Sequence, residues 1–323
     1  MAFRFDLTTD LPTNVRYMWS RQLQKAERAA QNAADDDTAI WQARKSFKRV
    51  RALLRLIRDG LQKKAWRAEN IRYRDLGRQL AGARDAVAVV EALNRLALAT
   101  GLEGSDLIAM TRKALQHPDR SNSPETAVQG VDLGALKAAL AEARVAFDAL
   151  DVTGLDRGAL LRGYARAYGD GRREMDACYQ TGESAGFHEW RKRVQHHWRQ
   201  SLLLEGVWPE GMAPRIETAR LVSKALGFDH DLSLLAEEIE TVIRRRLSAR
   251  HTARLLEAIA ETQIRTRHAI RPLAMRLYGL SPDALSEQLD IWWAAEALAG
   301  FTDMSPLGAA AVPRVAERAR ADA

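Results

Sequence analysis

Thr38-Ala39-Ile40-Trp41-Gln42-Ala43-Arg44-Lys45-Ser46-Phe47-Lys48-Arg49-Val50-Arg51-Ala52-Leu53-Leu54-Arg55-Leu56-Ile57-Arg58 contains seven basic residues and no acidic one. At about 100° per residue, Arg44, Lys48, Arg51, Arg55 and Arg58 fall in one narrow stripe of a helix, about 21 Å long. Phe47, Val50, Leu54, Ile57 and Leu61 fall on a neighbouring face and read as core. A solvated helix face ordinarily alternates its charges so that neighbours one turn apart attract. Here like charges stack, at about 0.2–0.5 kcal/mol per pair, or roughly 1–2 kcal/mol along the stripe. An anionic polymer laid on the stripe would reverse the sign of that cost.

The following stretch repeats the pattern, with Lys63, Arg67, Arg74 and Arg78 on one face and Arg72 directed towards Asp75 or solvent. Outward from these two segments the whole chain reads as helix. Ala, Leu, Arg and Glu dominate and β-branched runs are scarce. Helices are predicted over roughly 10–32, 38–58, 61–81, 85–99, 104–117, 131–150, 155–180, 186–205, 213–227, 231–246, 249–278 and 282–298. Turn signals include Ala81-Gly82, Gly169-Asp170-Gly171 and Gly227-Phe228-Asp229. Asp35-Asp36-Asp37 reads as the cap of the helix near Thr38, Pro118 to Gly130 as a surface loop, and 301–323 as a C-terminal tail. The fold class is all-α.

The pattern is duplicated. Trp41-Gln-Ala-Arg44-Lys45-Ser-Phe-Lys48 is echoed by His188-Glu-Trp-Arg191-Lys192-Arg-Val-Gln195. Arg74, Arg78, Arg84 and Asp85 are echoed at nearly the same offset by Arg220, Lys224, His230 and Asp231. Residues 1–150 and 151–300 therefore read as two helical halves of one domain sharing a groove. Asp85 and Asp231 read as first-turn carboxylates of the helices they would open.

Lys and Arg total 49 against 42 Asp and Glu, a net charge of +7. That balance suggests an anionic partner without naming it. The single cysteine, Cys178, permits no internal disulfide and fits a reducing compartment. The opening Met-Ala-Phe-Arg-Phe-Asp is unlike a secretory leader, and no run of about 18 apolar residues occurs. The expectation is a cytoplasmic protein without a membrane span. His188-Glu189 lacks the second histidine of a zinc-protease motif, and His188 and His196 are poorly placed for one metal. Phosphate-loop, dinucleotide and nucleophile-elbow patterns are missing. No catalytic residue, metal or cofactor is expected.

Together these motifs resemble the CHAD (conserved histidine α-helical) domain over about residues 5–298. In the first half they are Arg44-Lys45-x-x-Lys48-Arg49-x-Arg51, Asn70-x-x-x-Arg74-Asp75-x-x-Arg78 and Ala83-Arg84-Asp85. In the second they are Tyr168-x-x-Gly171-Arg172, His188-x-x-Arg191-Lys192 and Leu226-Gly227-x-Asp229-His230-Asp231-Leu232. The resemblance implies two pseudo-symmetric antiparallel four-helix bundles around a basic central groove or pore. It implies binding of inorganic polyphosphate and association with polyphosphate granules. The candidate contacts are Arg44, Lys45, Lys48, Arg49, Arg51, Arg55, Arg74, Arg78 and Arg84 in the first half. In the second they are Arg166, Arg172, His188, Arg191, Lys192, Arg199, Arg220, Lys224 and His230. The sequence departs from the family pattern where Trp41 takes the first-half histidine position, Gln195 and His196 stand for Lys and Arg, and Trp198 replaces another basic residue. Trp41 is expected to pack as core, and the first half to dominate binding. A helical nucleic-acid binder is the main rival. A metal-dependent phosphoryl-processing enzyme, using Asp75, Asp85 or Asp231, is the weaker one.

Overall fold

The computed structural model describes residues 3–32, 38–116 and 132–301, with the side chains of 81–86 and 299–301 outside that description. Eleven α-helices and no strand occur among the described residues. They are α1 (Leu11–Asn32), α2 (Ala39–Leu56), α3 (Lys63–Gln79), α4 (Ala81–Thr100), α5 (Asp106–Leu115), α6 (Leu133–Asp148), α7 (Arg157–Thr181), α8 (Ser184–Leu203), α9 (Pro209–Glu238), α10 (Ala249–Leu277) and α11 (Pro282–Phe301). Short 3₁₀ turns follow α2 at Arg58–Gly60 and α8 at Glu205–Val207, and a π-turn at Ile239–Ile243 extends α9.

Local chemistry sets many of the ends. Asp132 and Ser248 accept first-turn amides from Ala135 (2.8 Å) and His251 (3.2 Å), opening α6 and α10. Gly101 and Gly182, at φ of 68° and 72°, close α4 and α7 in the left-handed region that favours glycine.

Two expected turns are absent. α7 runs straight through Gly169-Asp170-Gly171, and α9 through Gly227-Phe228-Asp229. In α9, Phe228 and Asp229 are both buried, so tertiary burial outweighs the roughly 1 kcal/mol that an internal glycine costs a helix. Asp231 consequently opens no helix; it sits inside α9 with a carboxylate oxygen 3.8 Å from Arg95 Nη1. α4 starts at Ala81, so Asp85 does not open it either. Residues 35–37, 118–130 and 302–323 lie outside the described residues.

Buried apolar side chains gather in two clusters. The larger joins α1, α2, α3, α6, α7, α8, the first half of α9, the end of α10 and α11, around Trp19, Tyr73, Trp190, Tyr164 and Tyr168. The smaller joins α4 and α5 to the second half of α9 and the start of α10. The larger cluster spans both halves of the chain. Two glycines permit its closest approaches. A Cβ at Gly163 would lie 1.9 Å from the Leu56 carbonyl oxygen, and one at Gly171 would lie 2.3 Å from the Tyr278 hydroxyl. Apolar packing here presses α7 against the end of α2.

Candidate functional site

α2 and α8 lie side by side, tied where the Gln200 side-chain amide donates to the Ala52 carbonyl at 3.1 Å. Arg49 neighbours Arg199 while Arg55 neighbours Arg193, so the two helices run antiparallel. His196 sits among Arg51, Arg55, Arg193 and Arg199. The result is a seam of cations drawn from both helices. Arg49, Arg51 and Arg55 are partly buried, and none makes an ion pair among the described residues. Arg51 Nε, Arg55 Nε, Arg193 Nε and His196 Nδ1 are enclosed without a hydrogen-bond partner there. Buried polar atoms normally find partners, so these nitrogens have donor capacity to spare for water or for a ligand rich in acceptors.

Electrostatics agree. Burial, reinforced by Arg51 and Arg193, pulls the Arg55 guanidinium down to about 10. Burial with Arg49 and Arg191 pulls Arg199 down to about 9. Both remain cations at neutral pH, held in a strained mutual repulsion that an anion would relieve. The same causes, burial first and then the surrounding arginines, hold His196 well below its ordinary value and therefore neutral. At the α8–α9 end, His188 Nδ1 meets His230 Nδ1 at 2.9 Å. That contact needs one donor and one acceptor, so at least one ring is neutral. Burial and then Arg191 bring His230 down to about 3; burial and then Lys192 lower His188.

The sequence-predicted residues divide into groups. Arg49, Arg51, Arg55, Arg191 and Arg199 lie on the seam, with Lys48, His188 and His230 close by. Arg44 donates to the Leu80 carbonyl, and Lys45 lies 4.8 Å from the centre of the Trp41 ring. Arg74 donates to Asp75 at 2.8 Å, and Arg78 approaches the same carboxylate at 3.6 Å, so the edge of the seam on α3 is partly neutralised. Arg166 pairs with Asp59, Lys192 with Glu189 and Arg220 with Glu217. Arg172 donates to the Leu280 carbonyl at 2.8 Å, while Lys224 is exposed on α9. The Arg84 side chain lies outside the described residues.

Two side-chain expectations are corrected. Trp41 is 50% exposed rather than core: it lines a surface cavity with Lys25, Arg28 and Asn32 of α1, and Lys45 lies against its ring. Arg72 meets Glu69 at 3.2 Å and Glu142 at 3.9 Å, not Asp75, which its neighbours Arg74 and Arg78 already hold. Sequence reasoning placed Arg58 on the basic stripe, as found, but missed Arg193 and His196 as members of the seam. Arg193 and His196 lie on a flank of α8 that its helical wheel alone does not mark as functional. It missed as well a buried strut beside the histidine pair. Arg267 of α10 donates to Asp229 at 2.7 Å and to Ser184 Oγ at 2.8 Å, with its guanidinium 4.2 Å from the Phe187 ring centre. The strut locks α9 and α10 to the start of α8 and so fixes where His188 and His230 meet.

The family model for the CHAD domain matches residues 19–240, which include α2, α3, α8 and all of α9. The chain belongs to the CHAD domain family. None of the curated proteins matches it. In this CHAD domain the matched region contains both helices of the seam and both histidines of the pair, while α10 and α11 lie beyond it. Among the described residues no helix is long and apolar enough to cross a membrane, and no group of three His, Cys, Asp or Glu side chains is placed to hold a metal ion.

Proposed function

We propose that the α2–α8 seam binds inorganic polyphosphate without turning it over, and that the protein thereby associates with polyphosphate granules in the cytoplasm. One observation carries the reading: half-buried arginines from two antiparallel helices face one another with enclosed, unpartnered nitrogens. Guanidinium forks suit phosphate oxygens, and a linear polyanion matches a linear seam. The association of the family with polyphosphate, and its two pseudo-symmetric bundles around a basic groove, support the same reading. Against the enzyme alternative, Asp75 is bound by Arg74 and Arg78, and Asp231 lies beside Arg95. Against nucleic acid, the sequence carries no helix-turn-helix spacing, zinc-finger pattern or RNP-like aromatic motif.

Titration calorimetry with long-chain polyphosphate over a range of salt concentrations tests this. Six phosphate contacts predict that log K falls with log salt at a slope of about 4, by analogy with single-stranded nucleic acid. R51E/R55E should weaken binding at least tenfold, while R254E on the exposed face of α10 should not. No binding, binding without salt dependence, or easy displacement by single-stranded nucleic acid refutes the proposal.

A further inference from the structure

The seam ends in a small recess that the general reading does not use. It is lined by Arg55 of α2, Arg58, Trp66 of α3, Gly163, Arg166, Ala167 and Asp170 of α7, and Arg193 and His196 of α8. Its volume is about 40 Å³. A single water needs about 10–15 Å³ by the same kind of measure, so the recess has room for a few waters or one tetrahedral group. Its floor is shut. At Gly163 the α7 backbone lies against the Leu56 carbonyl so closely that a Cβ would come within 1.9 Å.

The lining asks for an anion with several free oxygens. Arg55 Nε, Arg166 Nη1, Arg193 Nε and His196 Nδ1 are enclosed and without a hydrogen-bond partner among the described residues. Asp170, which also lines the recess, pairs with Arg173, and Asp59 pairs with the other terminal nitrogen of Arg166, which partly neutralises that lining cation but leaves Arg55, Arg58 and His196 without a carboxylate among the described residues. Glu174 stands 3.7 Å from Arg193. Arg58 is further oriented by the Trp66 ring, 4.7 Å from its centroid. An internal unit of a phosphate chain offers two free oxygens and one charge. A terminal phosphoryl group offers three free oxygens and gains a second charge near neutral pH.

We propose that this recess holds the terminal phosphoryl group of a polyphosphate chain, anchoring the chain end while the seam grips the units behind it. The inference rests on the polyphosphate reading of the seam but can fail separately. Calorimetry with linear tripolyphosphate, cyclic trimetaphosphate, and a chain of about fifteen phosphates with both ends either free or capped as phosphoramidates separates the two. Linear tripolyphosphate should bind at least tenfold tighter than the cyclic form, which has no end. Free-ended chains should bind several-fold tighter than capped ones. Both differences should vanish in R193Q/H196Q and shrink in R55Q, which breaks no ion pair; matching thermal midpoints exclude misfolding. Equal affinity of linear and cyclic forms, a difference that survives R193Q/H196Q, or no detectable binding of tripolyphosphate at millimolar concentration overturns the proposal. If capped chains still bind tightly in that case, the seam reading stands alone; if no chain binds, both readings fail.

Discussion

Lowering the pH from 7.5 to 5.5 should destabilise the free protein through three histidines held neutral by the fold. His197 is wholly buried among Tyr164, Tyr168 and Tyr278, with ring centroids 4.8, 5.4 and 5.9 Å away, and neither of its nitrogens has a partner among the described residues. Burial, then Arg215, holds it well below its usual value. His196 is held down by burial and then by Arg55 and Arg51, and His230 falls to about 3. In the unfolded chain each titrates near its ordinary value of about 6.5, so the unfolded state takes up protons first as pH falls. The stability of a group lowered in this way is complete above about 6.5 and is lost on acidification. Between pH 7.5 and 5.5, one unit below the unfolded value, each histidine costs about 1.4 kcal/mol. The three together cost about 4 kcal/mol, a sizeable part of a typical total stability of 5–15 kcal/mol. Asp229 and Glu69, both raised mainly by burial, act in the opposite sense and offset part of the loss at the acid end. Thermal unfolding in low-salt buffer should show a midpoint about 6 °C lower at pH 5.5 than at 7.5. H197F, which removes one titrating ring and two unsatisfied nitrogens, should remove about a third of that shift. A midpoint that is unchanged or higher at pH 5.5 would refute the reasoning. So would H197F leaving the shift intact.

Three further outcomes follow from the packing. W41A should change stability by no more than about 0.5 kcal/mol in urea titrations, the ordinary range for a surface change, whereas W19A should cost about 3–5 kcal/mol as a core truncation. D229A leaves the Arg267 guanidinium buried without its carboxylate and should cost about 3–5 kcal/mol; it should also shift the histidine imidazole resonances of the 188–230 pair, which a merely additive loss of stability would not. G163A forces a methyl group into the Leu56 carbonyl and should cost at least about 1–3 kcal/mol, with Ala substitution at exposed Gly154 as a control that changes little.

Much of the fold was legible because helical periodicity is a local property. The core side of α2 was marked by Phe47, Val50, Leu54 and Ile57, and all four are buried. Helix limits depend on caps and turns that the sequence also carries, as at Asp132 and Gly101. Gly227-Phe228-Asp229 misled because a glycine beside an aspartate is a turn signal only when nothing outside the segment needs those residues. Here Arg267, 38 positions further on, holds Asp229, and that partnership is invisible to any local window. Trp41 misled for the converse reason: a large apolar residue reads as core until the packing shows that no helix covers it.

The basic character of α2 and α8 was legible in the sequence, but the burial of each charge was not. Counting charges along the chain favours the first half, where residues 38–58 carry seven cations and no acidic residue while α8 is interrupted by Gln195, His196 and Trp198. What a charge contributes to binding an anion depends on how far it has been removed from water, and this the count does not contain. In the folded chain burial lowers the Arg199 guanidinium of α8 to about 9 and that of Arg55 of α2 to about 10. The interruptions serve that desolvation. Gln195 gives its backbone carbonyl to Arg199 at 2.8 Å, Trp198 lies 5.3 Å beneath the same guanidinium, and His196 fills the space among four arginines while remaining uncharged. A fifth cation in place of His196 would add repulsion where the seam is deepest, whereas a neutral imidazole can take up a proton when an anion arrives. The departures from the family's basic pattern therefore weaken the second half in number of charges but leave the remaining ones deeply desolvated, which under the proposed reading is where an interaction with a phosphate is least screened.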